Sequence, residues 1–292
     1  MTYLLTASLL WSLSFGLINR YLCGIDSNAA AFIRLTISFI IFLPFLRLKQ
    51  INTKFTMKLI LLGAVQYGLM YLAYIRSYKY LEGYQVAAFT IFTPIFVTLI
   101  YDTMSRKFHA HHLLTALLAV VGTAFIVWPQ RHIGGTLRGI ILIQTANLCF
   151  AFGQVGYKIL FANQPQPENR ASSILDDTHT FGWMYLGAAI VTGIFSAATT
   201  DWNSFALSHT QIGVLIYLGI IPSGIAFFLW NIGAKRVNTG ILASFNNLKI
   251  PLAVFVSILL FKEKSNTLHL LIGGAAIILS ILFSRQKQNN PR

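Results

Sequence analysis

Lys249 and Arg34 are cations placed where an apolar chain tolerates them least. Lys249 follows Asn246 and Asn247 and precedes Pro251 within the otherwise apolar run 243–261, and Arg34 interrupts a second apolar run. A charged side chain in the middle of a bilayer-spanning helix costs about 2.5–3.5 kcal/mol on insertion scales, so it tends to face a polar cavity and to mark a functional path. Pro251 lacks a backbone N–H and is expected to push Ile250 and Lys249 away from regular helical geometry, freeing carbonyls that only a polar neighbour can satisfy. Each cation also has a plainer reading. Lys249 can snorkel from near a helix end, Lys158 can be the interfacial end of its span, and Arg34 can pair with helix-end carbonyls.

Acidic residues do not balance these charges in the interior. All eight acids, Asp26, Glu82, Asp102, Glu168, Asp176, Asp177, Asp201 and Glu263, fall in loops or at the edges of apolar runs. A carrier of cations would place a carboxylate in its site, because a cation entering low dielectric needs a partner. The opposite polarity favours an anionic or zwitterionic small molecule, with Arg34 able to take a carboxylate in bidentate fashion. The expected substrate site is therefore Lys249 and Arg34 on the negative group, with Lys158 as a further cation and Asn246, Asn247, Tyr71, Tyr74 and Trp230 shaping the cavity. Gln66 and Tyr67 lie on the same stretch as Tyr71 and Tyr74, and several phenols and an amide on one helix need a cavity or a partner helix to satisfy them. Gln144, Asn147, Gln154 and Asn231 are further polar candidates.

No cofactor and no metal site is expected. His109, His111 and His112 read as decoration of a short loop, since the other histidines form no second box. Cys23 and Cys149 lack metal-ligand spacing, and neither a glycine-rich phosphate loop nor a paired interior carboxylate is present, which argues against an enzyme.

The elements that would position these residues follow from composition. The chain is 55% hydrophobic and only 10% charged, with mean hydropathy +0.65, well outside the roughly 25% charged residues of soluble domains. Its net charge of +14 is spread between apolar runs instead of gathered on a basic face, so it indicates membrane topology and a lipid partner, not nucleic acid. Apolar runs near 3–20, 29–46, 57–78, 84–102, 112–128, 138–162, 181–199, 212–234, 237–261 and 267–284 predict an all-α membrane protein with ten transmembrane helices. Residues 163–180 read as a solvated loop at the midpoint. With the N-terminus inside, cytoplasmic segments carry 12 Lys and Arg and the opposite side 7, so both termini, including the tail 285–292, are expected in the cytoplasm.

The chain also repeats itself. Leu62-Gly63, Gly68, Lys79, Ala87 and Phe89 fall at a constant shift on Leu218-Gly219, Gly224, Lys235, Ala243 and Phe245, and Phe15-Gly16 corresponds to Phe152-Gly153. Halves of five helices each, 1–128 and 138–284, would be inserted in opposite senses, an architecture that places a substrate site near mid-bilayer. Pro222-Ser223-Gly224 can bend the eighth span and serve as a hinge.

Trp11-Ser12-Leu13-Ser14-Phe15-Gly16, Ala31-Phe32-Ile33-Arg34-Leu35, Phe92-Thr93-Pro94-Ile95-Phe96 and Lys262-Glu263-Lys264 followed by Leu271-Ile272-Gly273-Gly274-Ala275 resemble the EamA-type family of the drug/metabolite transporter superfamily. The resemblance covers nearly the whole chain. It implies two inverted EamA repeats, a bacterial inner-membrane location, a central cavity and alternating-access movement of amino acids, carboxylates, amines or related metabolites, often as export; with no interior Asp or Glu to carry a proton, facilitated diffusion or exchange is expected over proton antiport. One departure is that Glu263 of the second half has only Ser105 or Arg106 at the matching place in the first. A membrane-embedded enzyme and a flippase of lipid-linked substrates are the competing readings. Oligomeric state is not encoded in these features.

Overall fold

The computed structural model describes residues 1–22, 24–46, 53–81, 85–86, 89–127, 137–162, 170–261 and 267–289, and all their regular structure is helical. In chain order we number α1 (Thr2–Ser12, resuming after Leu13 as Ser14–Tyr21), α2 (Ser27–Phe42), α3 (Thr53–Ser77), α4 (Thr93–Ser105), α5 (Ala110–Val127), α6 (Leu137–Ala162), α7 (Arg170–Thr199), α8 (His209–Arg236), α9 (Thr239–Phe261) and α10 (Thr267–Asn289). Five of these contain stretches long and apolar enough to cross a membrane by length and composition, namely Ser27–Phe45, Thr53–Ser77, Leu137–Ala162, Asp177–Thr199 and His209–Arg236; shorter apolar helices accompany them. The bundle exposes large apolar side chains and buries amides within its apolar core. Val121 and Ile194 are each 63% exposed, whereas Gln66, Gln154, Asn231 and Asn246 are fully buried. That inversion suits a hydrocarbon solvent, in which amides must be satisfied internally.

Two departures from regular helix shape the centre. Residues Ala64–Leu69 of α3 and Gly219–Ala226 of α8 are wound as π-helix. In α8 the segment contains Pro222, which has no N–H to offer the carbonyl one turn back. Side chains from other helices bond carbonyls of this segment: Trp11 Nε1 donates to the Pro222 carbonyl at 2.9 Å, Ser38 Oγ to Gly219 at 2.8 Å, and the Tyr185 hydroxyl to Gly224 at 3.0 Å and to Ser223. The bend is thus tied to α1, α2 and α7. By contrast α9 stays helical through Pro251, which corrects the expectation that Lys249 and Ile250 leave helical geometry.

The midpoint loop is shorter than 163–180, because α7 already begins at Arg170. Asp177, expected in a solvated loop, is fully buried inside α7, where Lys235 pairs with it and the Tyr157 hydroxyl donates to it at 3.0 Å. Those partners offset the cost of burying a carboxylate. The motif Lys262-Glu263-Lys264 and the acids Glu82 and Glu168 lie outside the described residues.

At the start of α2, Asp26 accepts hydrogen bonds from the backbone N–H groups of Asn28 (3.0 Å) and Ala29 (2.9 Å) and from Thr200 Oγ1 (2.7 Å). Partial burial works to raise the Asp26 pKa, but these hydrogen bonds and Lys79 outweigh it and hold the group below its ordinary value. Because the folded value is depressed, the stabilisation is present above the unfolded pKa of about 3.9 and is lost as pH falls through the lower folded value. Asp26→Ala should cost about 1 kcal/mol near neutral pH. Its melting temperature should converge on that of the parent below pH ~3.9, where the parent's cap is being lost, as a pH series of thermal unfolding in detergent would record.

Candidate functional site

The π segment of α8 and the stretch of α1 around its break border a cavity between α1, α2, α3, α6, α8 and α9. Arg34 and Lys249 both line it, and no Asp or Glu does. Arg34 is 1% exposed. Its Nη2 donates to the Tyr71 hydroxyl at 3.1 Å and to Ser223 Oγ at 3.0 Å, and its guanidinium carbon lies 4.6 Å from the centre of the Tyr71 ring. Nε and Nη1 have no hydrogen-bond partner among the described residues. A buried guanidinium left with unpaired N–H groups is costly, and a carboxylate offering two oxygens would satisfy it.

Lys249 is held differently. Its Nζ stands 5.7 Å from the ring centre of Phe150 and 5.8 Å from that of Trp11, so aromatic faces stabilise the ammonium by cation–π attraction. Neither a carboxylate nor a hydrogen bond engages Nζ among the described residues. Trp11 is braced by Phe227 at 4.8 Å and Trp230 at 4.9 Å, which makes one wall of the cavity aromatic. Asn147 and Thr90 add polar groups, and Tyr74, bonded to Tyr78 through their hydroxyls at 2.9 Å, closes the side towards a second recess. That recess, lined by Asp26, Tyr78 and Lys79, shares Ile18 with the central cavity.

Of the residues expected at the site, Arg34, Lys249, Tyr71 and Tyr74 meet at the cavity, and four others do not line it. Trp230 lies behind Trp11 and donates its indole N–H to Gln154 Oε1 at 2.8 Å. Asn246 joins the same Gln154 and the Leu242 carbonyl, while the Asn247 amide donates to the carbonyls of Ile91 and Ala119. Lys158 Nζ caps the end of α8 by donating to the carbonyls of Ala234 (3.2 Å) and Val237. With Asp177 and Lys235 it ties α6, α7 and α8 together. Trp11, Phe150 and Phe227 are cavity residues that the sequence did not single out.

This cavity belongs to a known class of membrane carrier. The chain matches the model of the EamA-like transporter family over residues 1–128 and 137–286, and it is a member of that family. Among its relatives, proteins named "Biotin transporter" from Salmonella typhimurium (strain LT2) and Escherichia coli (strain K12) are each 35% identical to it, over 100% of this chain and 95% of theirs. A "Probable biotin transporter" from Pseudomonas aeruginosa is 34% identical over 98% of this chain and 97% of its own. A solved crystal structure superposes with a TM-score of 0.76 across 99% of this chain and 98% of that one, at 16% identity, and so shares the fold.

Proposed function

We propose that this protein carries biotin across the bacterial inner membrane by alternating access, without nucleotide hydrolysis. The observation that carries this reading is the pairing, in one cavity, of the partly unpartnered Arg34 guanidinium with the aromatic-faced Lys249 ammonium. Biotin is a fused ureido-thiophane bicycle bearing a valerate tail. Its carboxylate would bind Arg34 and Lys249, the bicycle would pack on Trp11, Phe150 and Phe227, and the ureido group would meet Asn147 or Tyr74. The names of the relatives support the same substrate. An amino acid fits less well, because its ammonium group would find two cations and no carboxylate in the cavity.

The carrier is read as ten spans in two inverted repeats with both termini in the cytoplasm. The paired π segments support it: Gly63 immediately precedes the first and Gly68 lies within it, while Gly219 opens the second and Gly224 lies within it, at the constant shift seen in the sequence. Cross-packing supports it too, since α3 packs on α7 as α8 packs on α2. At the Asp177–Lys235 end, α6, α7 and α8 are tied to one another. Substrate would enter from the recess beside Lys79.

Uptake of radiolabelled biotin into proteoliposomes tests the proposal. Saturable uptake is expected, inhibited by excess biotin and much less by biotin methyl ester, which keeps the bicycle and lacks the charge. Equal inhibition by the ester would remove the assigned role of the cations, and absence of biotin flux would remove the substrate.

A further inference from the structure

We infer that the corner between α4 and α5 is a binding site for one divalent transition-metal ion of the zinc class, held by Asp102, His109 and His112. One ligand atom from each residue falls within 4.8 Å of the others. The corner is preshaped. Arg106 adopts a left-handed conformation (φ 53°) after α4, its N–H and that of Lys107 return to α4 carbonyls, and the turn brings the His109 N–H to 3.1 Å from Asp102 Oδ2. His109 Nδ1 lies 2.7 Å from Asp102 Oδ1.

His112 is the independent observation. It is not on the loop but inside α5, 6% exposed, and its Nδ1 has no hydrogen-bond partner among the described residues. Its ring stacks on that of His109 at 5.0 Å. A buried imidazole nitrogen with no partner, beside a second imidazole and a carboxylate, is a donor set of the borderline kind that zinc, cobalt and nickel prefer. Zn–N and Zn–O bonds are about 2.0–2.2 Å, so ligand atoms around a tetrahedral ion stand roughly 3.3–3.5 Å apart. Binding therefore requires the three side chains to rotate inward from their present separation of up to 4.8 Å. On binding, the ion replaces the proton that joins His109 to Asp102, and neutral His109 carries its proton on Nε2 instead. Water completes the coordination.

The site is separate from the substrate cavity, with which it shares no residue. It does touch the element that carries Lys249, because His112 packs against Gly240 of α9. A bound ion would fix the α4–α5 corner against that helix.

Isothermal titration of the purified full chain, bearing no polyhistidine tag and stripped with EDTA, with Zn²⁺ is expected to give one ion per chain. Co²⁺ should give the visible absorption of a four-coordinate complex. Asp102→Asn and His112→Ala should each weaken Zn²⁺ binding by about tenfold or more, whereas His209→Ala, in another part of the chain, should not. If His112→Ala does not yield monodisperse protein, His109→Ala with Asp102→Asn decides the matter, since both positions are less buried. Absence of stoichiometric binding, or binding that survives these substitutions, would overturn the site.

Discussion

Arg34→Met is expected to abolish biotin-dependent stabilisation of the purified protein while leaving the ligand-free protein at least as stable as the parent. The two halves of that result come from the same geometry. With substrate bound, removing one member of a buried charge pair costs about 2–5 kcal/mol, or roughly 30-fold and more in affinity. Without substrate, Arg34 is a buried cation whose Nε and Nη1 are unpaired, a cost that methionine of similar length removes. Its polar neighbours would not be stranded, because Tyr71 and Ser223 already bond each other at 2.9 Å. Thermal unfolding with and without biotin reads both halves. A clear drop in ligand-free melting temperature would mean that Arg34 serves structure through Tyr71 and Ser223, and a preserved biotin shift would remove it from the site. Arg34→Lys should not rescue binding, since an ammonium cannot reproduce the planar fork. Lys249→Met should weaken biotin less than Arg34→Met does, because Nζ faces rings and makes no hydrogen bond that fixes an orientation.

What was legible in the sequence divides along physical lines. The helical character was legible because charges and prolines bound the apolar runs, and some helices fall close to them, as α6 does over Leu137–Ala162 against an expected 138–162, while α7 starts at Arg170 against an expected 181. Arg34, Lys249, Tyr71 and Tyr74 were legible as cavity residues because a polar group in hydrocarbon must find a partner. That same signal overreached for Asn246, Asn247 and Lys158. A carbonyl or amide on a neighbouring helix satisfies a polar group as well as a cavity does, and sequence does not distinguish them. Trp11, Phe150 and Phe227 were missed for the converse reason: an aromatic residue in an apolar run looks the same whether it faces lipid, core or substrate. Asp177 was misjudged because its burial depends on Lys235, from a different helix and far along the chain.

The helix crossing that frames the cavity should be the part of the fold least tolerant of a single methyl group. Lipid supplies no hydrophobic drive between apolar helices, so α3 and α7 hold together through close packing, and small residues set how close they come. A Cβ on Gly63 would stand 1.9 Å from the backbone carbonyl oxygen of Met184, and one on Gly187 would stand 2.0 Å from that of Ile60. The contact is reciprocal. Ile60 and Gly63 are one helical turn apart on α3, as Met184 and Gly187 are on α7, so each glycine admits the backbone of the other helix. No rotamer change relieves a clash with backbone. Gly63→Ala and Gly187→Ala must therefore separate the helices, at a cost towards or above the upper end of the about 1–3 kcal/mol usual for overpacking. Gly213→Ala is the matched control, because nothing lies within 4 Å of its would-be Cβ. In detergent, the first two variants should melt well below the parent or fail to elute as monodisperse protein, and Gly213→Ala should behave as the parent does. Should Gly63→Ala prove as stable as Gly213→Ala, the α3–α7 crossing would have to be looser than described. The π segment that follows Gly63, and the cavity wall that Met70, Tyr71 and Tyr74 build on it, would then lose their anchor.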